Sequence, residues 1–281
     1  MILRIPGVGR RMLHEFKEYR PYKATMSGIG WLAQVCAFAL LAPAELVAQA
    51  AARSPKLAIE LEGGAVWQTR NVVEIPNDGS ATRFSLADVT GKGPWPAARL
   101  YATLNVAERH GLRLLAAPFS LTETGQLDEI VRFAGATYAP AQPVEATYTF
   151  NSYRLSYRYR FHAGSRSAAW VGFTGKIRDA EIALEQGSTT SRKDDLGFVP
   201  LLHVAGDWSV TTRWRLGLDV DGLAGGPGRA VDAALKLGYD NDGPWRIQIG
   251  YRTLEGGADV PDVYSFAWLH YAVASIVWRV R

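Results

Sequence analysis

Cysteine and methionine are almost missing from this chain. The one Cys is Cys36 and the three Met residues are Met1, Met12 and Met26, so everything after Ala50 lacks both. No disulfide is open to residues 51–281, and their stability has to come from packing and backbone pairing. Long apolar runs are missing too: no stretch after residue 50 reaches the ~18 consecutive apolar residues of a spanning helix. A dominant charge is also lacking. Residues 1–50 carry six basic and three acidic side chains, and without them the formal +4 falls to about +1. The remaining Arg residues are scattered among acids, which excludes a basic stripe for nucleic acid. Disorder is excluded by the 48% hydrophobic content.

The N-terminal fifty residues have their own pattern. Arg4, Arg10, Arg11, Lys17, Arg20 and Lys23 precede the uncharged run from Ile29 to Leu41, and Ala48-Gln49-Ala50 follows with small residues. A basic segment, a short apolar core and an A-x-A site together describe a secretory signal peptide. The run is shorter than the ~20 residues of a membrane anchor. The chain therefore reads as residues 1–50, a signal peptide with a basic N-terminal extension in which Met12 and Met26 are alternative starts, and an exported domain over 51–281.

That domain is dominated by period-two alternation, the signature of strands with unlike faces. In 56–70, Leu57, Ile59, Leu61, Ala65 and Trp67 alternate with Glu60, Glu62, Gln68 and Arg70. In 153–161, Tyr153, Leu155, Tyr157, Tyr159 and Phe161 alternate with Arg154, Ser156, Arg158 and Arg160. The same pattern returns in 97–107, 213–221, 231–240 and 245–252. Aromatics such as Trp67, Trp214, Tyr239, Trp245, Tyr251 and Trp278 sit at the ends of the apolar faces, as interfacial girdles do; a water-soluble sandwich has no reason for that placement.

The fold class that follows is all-β: a closed antiparallel transmembrane β-barrel, since only a closed sheet pairs every backbone group in lipid without helices. Ten strands are expected at 57–70, 97–107, 111–122, 145–161, 167–184, 196–206, 210–223, 229–240, 244–255 and 263–280, with eight or twelve as alternatives. Short periplasmic turns alternate with longer connections, among them 71–96, 123–144 and 185–195, and an even count returns both termini to the periplasm. Ile130–Tyr138 reads as a hairpin above the membrane. In 167–184 the apolar parity switches between Phe173 and Ile182, which predicts a bulge near Asp179.

The final strand places Ile276, Trp278 and Val280 on the lipid face and resembles the C-terminal recognition strand of bacterial outer-membrane proteins, differing in ending on Arg281 where that pattern has an aromatic residue. Residues 176–182, 198–202 and 251–257 are similar to segments of an uncharacterised bacterial outer-membrane β-barrel family. The resemblance implies the cell outer membrane as location, with outer-membrane lipid including lipopolysaccharide and the outer-membrane assembly machinery as partners. It implies no activity.

Function then has to be read from the lumen. The inward positions are Glu60, Glu62, Arg99, Arg154, Arg158, Lys176, Arg178, Asp219, Asp221, Asp232, Lys236, Arg246, Arg252 and Glu255, nearly balanced in sign. A ten-strand bore is narrow, so these charges are expected to bridge one another and fill it. The leading expectation is a non-catalytic structural or binding barrel. The alternatives are an enzyme modifying lipid A or phospholipid and, third, a narrow polar pore. No catalytic residue is assigned, because neither His-x-Ser nor Asp-x-His occurs. No metal site or cofactor is expected, the five His being dispersed. Asp219 and Asp221 are expected to pair with Arg213, Arg215 or Lys236 on neighbouring strands. One cluster stands out as a candidate recess for an anionic headgroup, alternatively a self-neutralising rim: Lys176, Arg178 and Asp179 with Arg252 and Glu255.

Overall fold

A computed structural model describes residues 56–280. The expected signal peptide and its cleavage site lie outside the described residues. The elements in chain order are β1 (Leu57–Glu74), β2 (Phe84–Ser85), α1 (Leu86–Thr90), β3 (Trp95–Asn105), β4 (His110–Ala117), β5 (Ser120–Gln126), β6 (Val131–Phe133), β7 (Ala136–Tyr138), β8 (Pro143–Ala163), β9 (Ser167–Gln186), β10 (Thr189–Ser209), β11 (Trp214–Gly225), β12 (Gly228–Asp240), β13 (Trp245–Val260) and β14 (Val263–Val280). Each wall strand pairs antiparallel with its neighbours in the order β1, β3, β4, β8 through β14. Pairing of β14 with β1, from Leu57↔Val280 to Glu74↔Tyr264, closes the sheet. β5 continues β4 along β8 after an interruption at Pro118-Phe119, so the wall has ten strands, as the alternation predicts.

The outer surface is apolar because the period-two pattern puts every other residue there. Leu155, Leu114, Ile249 and Phe173 are 53–67% exposed, a position that only lipid makes favourable. Aromatic pairs bound this belt. At the end that has only short connections and holds both described termini, here the turn end, Trp245 packs on Trp278 at 6.3 Å and Trp214 on Tyr239 at 5.2 Å. At the other end, Trp67 and Tyr251 flank His270, whose ring nitrogens meet Tyr251 Oη and Thr69 Oγ1. Trp268 and Trp278 face outward from β14 ten residues apart. That is ~33 Å along a strand and ~25 Å along the membrane normal at a ~40° tilt, the height of a lipid-facing band.

At the loop end the lumen is filled by an apolar cap. The 75–94 connection contributes Phe84, Leu86 and Val89, and the hairpin β6–β7 contributes Val131, Phe133 and Tyr138. They pack against the inward Val144, Ala146, Ile182, Leu184 and Leu269 of the wall. Gln68 Nε2 donates to Thr90 Oγ1 (2.8 Å) and Gly91 O (2.6 Å), pinning the end of α1 to β1. α1 approaches β5 so closely that a Cβ on Gly125 would lie 2.1 Å from the Val89 carbonyl oxygen, which reserves that position for glycine. Tyr138, fully buried, donates its hydroxyl hydrogen to the Leu184 carbonyl at 3.0 Å, and its oxygen lies 2.7 Å from Ser191 Oγ. Tyr138→Phe is expected to cost about 1 kcal/mol. The loss should appear as faster hydrogen exchange in 131–138 and leave the wall strands protected.

Two expectations need correction. The register runs unbroken through Asn151↔Asp179↔Leu196, so there is no bulge near Asp179; the irregularities fall between Gln68 and Arg70 and between Arg160 and His162. Even positions of β9 face inward throughout. The apolar parity switches because below Asp179 lipid covers the outer face, whereas above it the cap covers the inner face. Nor is 185–195 a loop: β9 and β10 extend above the belt to a tight turn in which Gly187 takes φ +59°.

Candidate functional site

Midway down the lumen, the inward residues of the wall form a buried ionic layer. Asp232 of β12 accepts from Arg99 of β3 (3.0 Å), Arg154 of β8 (2.7 Å) and Arg252 of β13 (2.6 Å). Arg252 also donates to Glu62 of β1 (3.2 Å) and to Tyr101 Oη (2.7 Å). Lys236 bridges Glu60 and Glu62. Arg113 of β4 holds Asp219 of β11 through both terminal nitrogens. Asp221 accepts from Arg154 (2.9 Å) and Thr174 (2.9 Å) and lies 2.8 Å from His203 Nδ1. The Arg99–Asp232, Arg154–Asp232 and Arg113–Asp219 bonds join walls four strands apart, so they tie the barrel across its diameter. Their geometry satisfies charges that would otherwise sit unpaired in a low-dielectric interior.

Asp219 and Asp221 thus pair across the lumen with Arg113 and Arg154, and the expected adjacent partners do not hold them. Arg213 binds Asp242 at the turn end and Arg215 binds Asp207. Alternation places both aspartates inward, and in a narrow bore the opposite wall is within reach of a guanidinium.

The five residues of the predicted anionic recess are separated. Lys176 is buried in the lumen with Nζ 4.5 Å from the centre of the Phe150 ring. Arg252 belongs to the ionic layer. Arg178 pairs with Asp195, and Asp179 faces outward, accepting from Asn151 Nδ2 at 3.0 Å. Glu255 also points outward, correcting its assignment to the lumen, and accepts from Arg70 (2.5 Å) and Arg229 (2.8 Å). Beside Asp179, Glu181 is cross-strand partner to Asp194, and their mutual hydrogen bond raises the Glu181 carboxyl above its ordinary range. That rim is acidic, which opposes anion binding there.

Sequence reasoning missed His203 and Arg113. Both were within reach of parity: Phe198, Leu202 and Val204 face lipid on β10 and Leu112 and Leu114 on β4, so His203 and Arg113 face inward. His203, Asp219 and Asp221 bring ligand-type atoms within 4.8 Å of one another. Arg113 and Arg154 already neutralise both carboxylates, so a cation there would face two guanidiniums, and the trio fits an ion-pair array better than a metal centre. His162 Nε2 lies 2.9 Å from Ser167 Oγ in the β8–β9 turn, a nucleophile–base pairing in outline, but among the described residues no carboxylate is paired with His162 to orient it.

Below the ionic layer the lumen opens at the turn end into a cavity of about 610 Å³, lined by residues including Glu60, Arg113, Arg158, Asp207, Asp219 and Arg246. Above the layer, by Phe119, Phe150 and Tyr271, lies a void of about 10 Å³. Among the described residues the larger cavity opens at the turn end, and the apolar cap fills the other.

A closed antiparallel sheet, an apolar belt between aromatic girdles and long connections confined to the end opposite both described termini define an outer-membrane β-barrel, and this chain is one. No protein-family model and no curated protein matches it. Solved structures that resemble it include the outer membrane protease OmpT of Escherichia coli, 8% identical, covering 83% of this chain and 99% of its own, with a TM-score of 0.48. Ail, the attachment invasion locus protein of Yersinia pestis, is 7% identical over 78% of this chain and 99% of its own, at 0.37. Neisserial surface protein A is 9% identical over 80% and 97%, at 0.36. At such identities none of their activities passes to this chain.

Proposed function

We propose that this chain is a non-conducting outer-membrane barrel with a structural or binding role, its lumen addressed from the periplasm alone. The orientation follows from the connections: the end that carries only short ones, together with both described chain ends, is the periplasmic side in barrels of this class, and the long connections lie outside. The observation that carries the reading is the stack of two seals, the apolar cap above and the cross-linked ionic layer below it. Water and ions meet desolvation at both levels, so neither a solute nor a hydrated ion has a path. The same stack weighs against an enzyme acting on lipid from the lumen, because His203 and its aspartates lie beneath the cap with no route from the outer leaflet. Outer-membrane lipid, including lipopolysaccharide, covers the belt, the outward Ile276, Trp278 and Val280 are offered to the assembly machinery, and residues 1–50 serve export.

In planar bilayers the purified protein is expected to give no stepwise conductance. Discrete openings that persist after repurification would sink the sealed-barrel reading.

A further inference from the structure

The turn-end cavity differs from the ionic layer in how its charges are matched. Asp207 is shared by Arg215 and Arg246, and Asp240 by Arg246 and Arg279. Arg158 has no carboxylate within 4.0 Å among the described residues; its guanidinium lies 5.0 Å from the centre of the Trp170 ring, and its buried Nε has no hydrogen-bond partner. Arg158 and Trp170 both line the cavity, beside Arg113. In the ionic layer Arg99, Arg113, Arg154 and Arg252 each meet a carboxylate on another strand. Here the facing space is open.

We propose that this cavity is a binding site for a small, multiply charged oxyanion entering from the periplasm, with Arg158 as its principal ligand. A planar guanidinium presents a fork of N–H donors that matches two oxygens of a phosphate or carboxylate, and stacking on Trp170 holds that fork in one orientation. The volume of about 610 Å³ is in the range of small-molecule pockets. The cavity walls keep out a lipid anchored in the bilayer, so the ligand is a free solute. The inference builds on the sealed-barrel reading; conductance tests the seal and binding tests the site, so the two fail separately.

The test is calorimetric titration of pyrophosphate, and separately citrate, into full-length processed protein in neutral detergent at low and high salt. Wild type should bind at least one of them saturably, one per barrel, and more weakly at high salt. Arg158→Gln should retain heat-modifiable migration, since it removes an unpaired cation, and should weaken binding at least about tenfold. Trp170→Phe should abolish most of the change in tryptophan emission on titration. Absence of saturable binding of both probes to wild type, equal affinity in Arg158→Gln, or an emission change undiminished in Trp170→Phe would each overturn the proposal. If Arg158→Gln fails to fold, the wild-type and Trp170→Phe titrations still decide it.

Discussion

Asp232→Ala is expected to destabilise the barrel by about 3–5 kcal/mol, the cost of removing one partner from a buried ionic cluster. Asp232 is 4% exposed and accepts from three guanidiniums. Without it, Arg99 keeps only Glu62 at 3.7 Å as an ion-pair partner, while Arg154 and Arg252 fall back on Asp221 and Glu62. Three cations then crowd one level of a narrow bore with too little negative charge between them. Asp232→Asn keeps the volume and one acceptor oxygen and should lose somewhat less. Adding Arg99→Leu to Asp232→Ala should restore part of the loss, because it removes one of the stranded cations. Urea unfolding in detergent, followed by the migration shift on gels, measures all three. An Asp232→Ala midpoint indistinguishable from wild type would mean that the layer contributes little.

The second large effect is on the other face of the wall. Leu155 projects into the lipid belt from mid-strand β8, paired with Leu114 and Gly175. Leu155→Arg should cost roughly 2–4 kcal/mol, as a guanidinium does near the bilayer midplane. Thr103→Arg puts the same group into the turn-end cavity, open to solvent, and should cost less than about 1 kcal/mol. Reversibility of folding into vesicles gives both values. Equal losses at the two sites would mean that one of the two faces is misassigned.

Much of this was legible in the primary structure, because the lipid-facing and lumen-facing surfaces impose opposite chemistry on alternate residues. Strand count, three of the four short connections at the end holding the termini, the Ile130–Tyr138 hairpin and most inward charges follow from alternation and turn residues; β10 instead runs on to Ser209, so the turn expected after residue 206 falls at 210–213. The bulge near Asp179 failed because parity reports which face is apolar, and two different apolar surroundings, lipid and cap, cover opposite faces of β9. Glu255 failed for a related reason: above the belt the outer face meets water, and a carboxylate between Arg70 and Arg229 is at home there. Partner choice was the least legible part. Nothing local connects Arg113 to Asp219 or Arg154 to Asp232; those pairs exist because closure of the sheet brings walls distant in sequence within a side chain's length. The open mouth below the ionic layer was invisible for the same reason.

The most direct test of a lumen sealed at the outer surface uses the near absence of cysteine. In a Cys36→Ser background, Ala168→Cys places a thiol in the turn-end cavity and Ser80→Cys places one on the exposed loop-end surface. In intact cells a membrane-impermeant maleimide is expected to label Ser80→Cys and leave Ala168→Cys untouched; once the outer membrane is permeabilised, Ala168→Cys should label as well. Labelling of Ala168→Cys in intact cells at a rate matching Ser80→Cys would contradict the account.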